Sequence, residues 1–472
     1  MKKLINTFLV ITFSFNINAQ DATTDFDYAD VIQVTNVYGI SPTFPNSEGW
    51  IEILADDGSP GSLSGMAHTT VWTLNQQIKP AAFVSDYNAQ FGAHFRFECD
   101  LSELPFVRGE TSDGYELPIQ ELEQDGTFHV YRRKKLSTYE SGNYVDAPFE
   151  KEKVQYWQDF TITWFVSDDE DLEHSKWKEI GKTAFPLYVT HKEPIVGDNQ
   201  NDEYDRETQI LHSTLNLSCK NGINKSDESD IVSSIYTEFT NQCVKRVNDK
   251  AEEIGNCLGY WQPPNLSGDC QSVSEFLLNG NARCNEWADF FNDMIKLQGI
   301  TSSKITIIEY TENSLIPQDL DMRLRLAIDQ EFEDCFVSLN TNDHSVLIVN
   351  KYNFSLDKIY VDEFYTEKIL CNDKTVTKAN IEGIPAQGVG NGSPISVFWN
   401  HAIVLHDGKY YDPSYGVSPK TSKIDYEDSA FAGFGVSPQI FYFDQNDEFK
   451  TSLFLFLDDE NTLGDQQTII NP

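Results

Sequence analysis

The sequence predicts an α+β protein in which an all-β, sandwich-like domain precedes a domain of mixed helices and strands. Between Asp25 and His191, short segments rich in β-branched and aromatic residues alternate with turn-forming residues. After residue 208, apolar residues recur at helical spacing instead. A chain of 472 residues is also long enough for two domains.

The first 19 residues have the pattern of a secretory signal peptide. Two lysines are followed by an apolar run from Leu4 to Phe15 and then by small and polar residues. Cleavage after Ala19 would leave Gln20 at the amino terminus. The apolar run is too short to span a bilayer, and no other stretch approaches that length. We therefore expect an exported protein, secreted or periplasmic, without membrane insertion.

The chain is strongly acidic. Its formal net charge is −39, and loss of Lys2 and Lys3 with the signal peptide gives −39 − 2 = −41. Such a surface repels nucleic acid and anionic membranes, so neither is an expected partner. The charge favours solubility but does not identify a substrate.

Residues 20–192 are predicted to form the sandwich-like domain, because many short strands without helical periodicity are typical of that architecture. The aromatic residues of these strands fit a packed core, although they could also mark a ligand-binding face. The clearest predicted strands are Asp30–Tyr38, Gly49–Leu54, Thr69–Leu74, His94–Phe97, Thr127–Arg132 and Phe160–Val166.

Residues 193–207, EPIVGDNQNDEYDRE, are predicted to be a solvated linker. Their carboxylates resemble a calcium loop only loosely, because the central glycine and the final glutamate are missing. Since no Cys or His spacing indicates zinc either, the sequence predicts no metal site. The second domain would then occupy residues 208–472.

Helices are predicted at the start of this second domain. Glu228–Ile254 has apolar residues at helical spacing, and Gly255 follows it. Ser272 and Glu275 form a capping box for a short helix that Gly280 ends. The next two strands are predicted at Lys304–Tyr310 and Val346–Asn350, with another at Lys358–Val361.

Cys284 is predicted to begin an amphipathic helix. Apolar side chains follow it at the i, i+3, i+4, i+7 spacing of a buried face, in Trp287, Phe290, Phe291 and Met294. Unpaired N–H groups and the positive end of the helix dipole favour a thiolate at such a position. A cysteine at a helix start can equally be a small buried hydrophobe.

A base for this thiol is predicted downstream. Val397–His406 has the pattern of a strand that carries His401, and Asp407-Gly408 is a strong hairpin signal before Lys409–Tyr411. Asp412 follows the return strand, so it can lie beside His401. A carboxylate next to an imidazole fixes its tautomer and stabilises the imidazolium.

These segments resemble the transglutaminase-like superfamily, whose core shares the papain-like cysteine protease architecture. The resemblance covers roughly residues 260–416 and is carried by Cys284 with its helix, His401-Ala402 and Tyr411-Asp412-Pro413-Ser414. It implies a papain-like core in which Cys284 is the nucleophile, His401 the general acid and base, and Asp412 the orienting carboxylate. It also implies a protein or peptide substrate and no cofactor.

The chain departs from the family pattern at three points. Ala282 and Arg283 stand where a glycine usually precedes the cysteine, and Ile403 replaces a tryptophan often found two residues after the histidine. The separation of Cys284 from His401, 401 − 284 = 117 residues, implies an insertion.

The oxyanion pocket needs a donor besides the backbone N–H of the cysteine. Superfamily relatives commonly take it from upstream of the cysteine, where Trp261 and Gln262 are the candidates. An aromatic and proline-rich turn with only a packing role is the alternative. The glycine-rich segment Gly383–Pro394 is predicted to be a flexible loop at the edge of the site.

Eight cysteines in an exported chain make disulfide bonds an expectation. The pair Cys257–Cys270 is the first candidate and Cys219–Cys243 the second. With Cys284 catalytic, seven cysteines remain, so at least one more thiol is free.

Two function classes remain open. The first is a thiol enzyme that acts on amide bonds through an acyl-enzyme, which water or an amine resolves. The second is a non-catalytic binding module with a papain-like core as scaffold, because a fold does not determine a reaction. The sequence gives no indication of an oligomeric state.

Overall fold

Helices and sheets both occur in this protein, which confirms the α+β class. The computed structural model describes residues 32–40, 52–54, 56, 69–73, 78–85, 90–97, 105–122, 127–131, 133–135, 144–168, 177–195, 209–260, 270, 272–307, 339–350, 365–371, 374–380, 386–388, 397–398, 401–443, 449–451 and 455–457. The predicted signal peptide and the predicted strand Lys358–Val361 lie outside these residues.

Twelve strands are described in the amino-terminal part of the chain. They are β1 Ile32–Ile40, β2 Glu52–Leu54, β3 Thr69–Thr73, β4 Ala81–Val84, β5 Gln90–Phe97, β6 Phe106–Thr111, β7 Glu116–Glu121, β8 Thr127–Tyr131, β9 Arg133–Lys135, β10 Tyr144–Asp146, β11 Gln155–Ser167 and β12 Lys178–Thr190. All six strands predicted here overlap one of them, whereas β4, β6, β7, β9, β10 and β12 were not predicted.

All of these strands except β2 form two sheets, and the two sheets share one apolar cluster. The order is β3-β1-β5-β8 in the first sheet and β10-β9-β7-β6-β11-β12-β4 in the second. Phe91 and Phe95 from the first sheet meet Phe160 and Trp164 from the second, with ring centroids 5.8 Å apart for Phe91–Phe160 and 5.5 Å for Phe95–Trp164. These four aromatic side chains are buried, so they form a core and are not a ligand-binding face.

The remaining elements follow in the order α1 His212–Gly222, α2 Glu228–Thr240, α3 Val273–Asn279, α4 Cys284–Leu297 and α5 Lys423–Ala430, with strands between them. The strands are β13 Gln209–Leu211, β14 Arg246–Val247, β15 Glu253–Ile254, β16 Gly259–Tyr260, β17 Asn281–Ala282, β18 Ser303–Ile307, β19 Leu339–Asn350, β20 Tyr365–Cys371, β21 Lys374–Asn380, β22 Val397–Phe398, β23 His401–His406, β24 Lys409–Tyr411, β25 Phe431–Phe443, β26 Phe449–Thr451 and β27 Leu455–Leu457.

Helix α4 is the centre of the carboxy-terminal core. Trp287, Phe290, Phe291 and Met294 are fully buried, as their spacing predicts. The Trp287 ring lies 4.7 Å from Phe276 of α3, and Phe291 lies 5.3 Å from Tyr236 of α2. Burial of each such side chain stabilises the fold by roughly 1.5–3 kcal/mol, which fixes the helix whose first residue is Cys284.

The predicted helix Glu228–Ile254 is too long. Helix α2 ends at Thr240, and Gln242 has a positive φ of 53° that no helix can contain. The chain then forms the short antiparallel pair β14–β15, where Val247 pairs with Glu253. The apolar residues after Thr240 that continued the helical spacing are buried by this hairpin instead. The short helix α3 is confirmed, since Ser272 Oγ accepts from Glu275 N–H at 3.2 Å.

Both predicted disulfide bonds are wrong. The structure joins Cys243 to Cys257, with Cα atoms 4.8 Å apart. Leu258 N–H donates to Val244 O at 2.7 Å, so the chain returns beside Cys243 immediately after Cys257. Cys219 and Cys270 are buried thiols that form no disulfide: Cys219 lies in α1, and Cys270 donates to Asn281 O at 3.5 Å.

Only the first residues of the predicted linker are described. Ile195 N–H donates to Lys296 O at 2.9 Å, and Lys192 N–H donates to Gln298 O at 3.2 Å. The chain therefore reaches residue 195 in contact with the carboxyl end of α4. Residues 196–207 lie outside the described part of the chain.

The predicted strand Val397–His406 divides between two sheets. β22 pairs with β19 in a sheet ordered β22-β19-β25-β26, where β27 also joins β25. β23 instead pairs with β18 and β24 in a three-stranded antiparallel sheet. Among the described residues, no helix is long and apolar enough to cross a membrane.

Candidate active site

The β23–β24 hairpin brings His401 and Asp412 together. Asp407 and Gly408 have φ values of 47° and 71°, which is the left-handed backbone that a two-residue hairpin turn requires, and His406 pairs with Lys409 across it. Extending this register by one residue places Asp412 opposite Ile403, on the same face as His401. The imidazole Nε2 lies 2.6 Å from Asp412 Oδ2. Because a carboxylate only accepts, Nε2 donates this hydrogen bond.

Cys284 approaches His401 from helix α4. It is the first residue of α4, which packs against β23, and its side chain is buried with 5 % exposure. The start of the helix is fixed by Glu286, whose Oε2 accepts from Arg283 N–H at 3.2 Å. Residues at the first turn of a helix lie where its dipole favours negative charge.

The electrostatics of His401 reflect both neighbours. Complete burial opposes the charged imidazolium, but the charge and hydrogen bond of Asp412, followed by those of Cys284, raise the pKa of His401 to about 10. Since Nε2 donates its hydrogen bond to Asp412, Nδ1 is the ring nitrogen of His401 that can interact with Cys284. The arrangement therefore favours a proton held on the imidazole between a thiol sulfur and a carboxylate.

Four further groups hold Asp412 in place. Tyr426 Oη donates to Asp412 Oδ2 at 3.0 Å, and Tyr415 N–H donates to Oδ1 at 3.4 Å. The Asp412 carbonyl oxygen accepts from Tyr236 Oη at 2.8 Å and from Gly416 N–H at 2.9 Å. Gly416 has a φ of 64°, and a Cβ there would meet Phe239 O at 2.1 Å. Only glycine therefore lets this turn pack against the end of α2.

Gln387 connects the two halves of the site. Its side-chain amide Nε2 donates to Phe239 O at 2.7 Å and Pro413 O at 2.9 Å, and its backbone carbonyl oxygen accepts from Tyr260 N–H at 2.9 Å. The side chain is completely buried. This part of the segment predicted to be a flexible loop is thus anchored, although it does border the site as expected.

Tyr260 lies beside Cys284. β16 runs parallel to β17, which places Tyr260 opposite Ala282, two residues before the cysteine. The Tyr260 and Tyr415 rings are 5.2 Å apart, and burial followed by the charges of Tyr415 and Cys284 raises the pKa of Tyr260 well above its usual range. The predicted oxyanion residues Trp261 and Gln262 follow directly in the chain but lie outside the described residues.

The structure thus brings together Cys284, His401 and Asp412 but describes neither oxyanion candidate. Sequence reasoning missed the buried polar residues around the triad. Tyr415 directly follows the segment Tyr411-Asp412-Pro413-Ser414, and Tyr260 directly precedes Trp261, so their position next to the predicted site residues was an available signal. No local sequence motif marks Tyr426, Tyr236 or Gln387 as residues of the site. Within the described part of the chain, no group of three or more His, Cys, Asp and Glu side chains is placed to hold a metal ion.

Comparisons with models of known protein families and with curated protein sequences found no match.

Proposed function

We propose that the protein is an exported thiol enzyme that acts on amide bonds of a protein or peptide through an acyl-enzyme on Cys284. The observation that carries this proposal is the buried His401–Asp412 pair, joined at 2.6 Å, with the Cys284 thiol acting on the same imidazole. A thiolate and an imidazolium side by side are what a cysteine nucleophile requires.

In the proposed reaction, the proton of the Cys284 thiol passes to His401 Nδ1. The sulfur then attacks the carbonyl carbon, the S–C bond forms, and the carbonyl π electrons move to oxygen. The backbone N–H of Cys284 and a donor from Trp261 or Gln262 would bind that oxyanion. As the tetrahedral intermediate collapses, the C–N bond breaks and His401 gives its proton to the leaving amine.

A second nucleophile completes the cycle. Water would release a carboxylic acid, whereas an amine such as a lysine side chain would form a new amide. In both cases His401 takes a proton from the attacking group and returns it to the sulfur. The enzyme is thus an amide hydrolase or a transglutaminase.

The proposed architecture is a papain-like, transglutaminase-like core at residues 208–472 after a sandwich-like domain at residues 20–192. Support for the core comes from the order of the site residues, with Cys284 starting a buried helix and His401 and Asp412 on a following antiparallel hairpin. Support for the sandwich comes from the aromatic cluster that the two amino-terminal sheets share.

Selective alkylation tests the proposal. Cys219 and Cys270 are buried thiols of the same chain outside the disulfide, and burial raises the pKa of Cys219 to about 12. Iodoacetamide at neutral pH, followed by peptide mapping, should label Cys284 much faster than either, and His401→Ala should abolish the difference. Equal labelling of all three thiols would contradict the enzyme and favour the non-catalytic binding module.

An activity assay and the mature terminus complete the test. Cys284→Ser should abolish amide hydrolysis or transfer while preserving the fold, because the change is nearly isosteric; Cys270→Ser is the matched control. Amino-terminal sequencing of the protein recovered outside the cytoplasm should begin at Gln20. An uncleaved chain retained inside the cell would contradict export.

A further inference from the structure

Tyr426 adds a hydroxyl group to the His401–Asp412 pair. It lies in α5, whose first turn is held by Ser422, since Asp425 N–H donates to Ser422 Oγ at 3.1 Å. The Tyr426 hydroxyl is buried and lies 3.0 Å from Asp412 Oδ2. This is the same oxygen that accepts from His401 Nε2. Tyr426 follows Asp412 by 14 residues and lies beyond the segments that resemble a known family.

The direction of this hydrogen bond follows from the chemistry of its two groups. Asp412 is 1 % exposed, and a buried carboxylate is stable as an anion only when hydrogen-bond donors surround it. An ionised carboxylate only accepts, so the Tyr426 hydroxyl donates. Burial, and then the charge of Cys284, raise the pKa of Tyr426 well above its usual range. The phenol therefore stays protonated wherever the site works.

We propose that Tyr426 is a positioning residue of the site, whose hydroxyl holds the Asp412 carboxylate and sets how tightly His401 keeps its proton. The inference rests on the proposed function, because this control matters only if His401 transfers protons. It adds a residue whose action on the reacting atoms passes through Asp412 and His401.

A hydrogen bond strengthens as the charge on its acceptor becomes less compensated. The Tyr426 hydroxyl therefore stabilises Asp412 more when His401 is neutral than when an imidazolium compensates the carboxylate. The hydroxyl therefore lowers the proton affinity of the His401–Asp412 pair. An imidazolium held less tightly is a better acid towards a leaving amine.

Other titratable side chains face the pair from neighbouring elements. They are Cys284 from α4, Tyr236 from α2, Tyr260 from β16 and Tyr415 from the turn after β24. Of these, Tyr236 donates to the Asp412 carbonyl oxygen and not to its carboxylate. Tyr426 instead donates to Asp412 Oδ2, the carboxylate oxygen that also accepts from His401.

The test is the titration of His401 in the full-length protein, followed by NMR of labelled histidine and assigned with His401→Gln. Tyr426→Phe keeps the ring and removes the hydroxyl, so we expect the pKa of His401 to rise by about half a unit to one unit, a fraction of the effect of a hydrogen bond to a charged group. Tyr410→Phe is the matched control, because the Tyr410 ring stacks on Tyr426 at 6.0 Å. An unchanged or lowered pKa in Tyr426→Phe, or an equal rise in Tyr410→Phe, would overturn the proposal.

A second measurement does not depend on the stability of the phenylalanine variant. Fluorotyrosine incorporated at position 426 retains the ring and the hydroxyl but makes the hydroxyl a stronger donor, so the pKa of His401 should fall. A rise or no change overturns the proposal. Failure of the proposed function is separately visible, because an inert Cys284 in the alkylation assay leaves the His401 titration measurable.

Discussion

His401 and Asp412 form a hydrogen-bonded pair, with Nε2 and Oδ2 2.6 Å apart and both side chains fully buried. The pair lies on one face of the β23–β24 hairpin and opposite the amino-terminal end of α4. A charged pair without access to water is stable only if its remaining polar atoms are bonded, and Tyr426 and Tyr415 supply such bonds. The surrounding tyrosines therefore help to stabilise the buried pair on the hairpin.

Asp412→Asn tests the orienting role of the carboxylate. The amide is nearly isosteric, but it removes the charge that stabilises imidazolium at His401. The pKa of His401 should fall, the Cys284 thiolate should be less populated, and alkylation at neutral pH should slow about tenfold, which corresponds to about 1.4 kcal/mol. The measurement is the alkylation rate of Cys284 against pH. Superimposable profiles, with equal thermal stability, would show that Asp412 only ends a strand.

His212 should make the fold sensitive to acid. Its Nε2 lies 2.8 Å from Tyr188 Oη, which itself accepts from Asn216 Nδ2 at 3.0 Å, so the hydroxyl hydrogen is available to the imidazole. Burial lowers the pKa of His212 to about 4. The unfolded chain therefore binds a proton that the folded one excludes, and stability present above pH 6.5 is lost as the pH falls towards 4.

This loss should reach about 3 kcal/mol in denaturant unfolding between those two pH values. In His212→Gln the slope of stability against pH should become shallower, because the amide does not titrate. Tyr188→Phe is the control, since it removes the partner hydroxyl and keeps the imidazole. A slope unaffected by His212→Gln would assign the acid sensitivity to other groups.

The Cys243–Cys257 disulfide should stabilise the fold. Its half-cystines are 14 residues apart, and closing a loop of that length destabilises the unfolded chain by about 3 kcal/mol, because it restricts its conformational freedom. Replacing both cysteines by alanine should lower the free energy of unfolding by about that amount, while Cys270→Ala removes a free thiol as the matched change. Non-reducing peptide mapping should recover Cys243 linked to Cys257. Recovery of Cys257 linked to Cys270 would contradict the structure.

Limited proteolysis tests the boundary predicted between the two parts of the chain. The residues up to Ile195 hydrogen-bond to the end of α4, so we expect the first cut between residues 196 and 207, within the predicted linker. The products should be a β-rich amino-terminal piece and a carboxy-terminal piece of mixed helices and strands. Mass spectrometry would identify them, and circular dichroism would report their secondary structure. Early cutting within the β23–β24 hairpin, with the linker intact, would contradict the boundary.

Local patterns in the sequence were sufficient for elements whose cause is local. Helix α4 was predictable because its apolar residues recur at 3.6-residue spacing, and the β23–β24 turn because Asp407-Gly408 tolerates positive φ. The positions of Cys284, His401 and Asp412 at the ends of these elements followed from the same patterns. The α+β class needed no more than the change in periodicity along the chain.

Tertiary structure decided what depends on contacts between distant segments. Apolar spacing after Thr240 fitted a longer helix, but packing and the Cys243–Cys257 bond turned the chain into the β14–β15 hairpin. Tyr426 and Gln387 belong to the site because folding buries their polar groups against Asp412 and Tyr260. A residue's polarity and its neighbours in sequence do not specify such long-range partners, because each partner is fixed by the packing of the whole core.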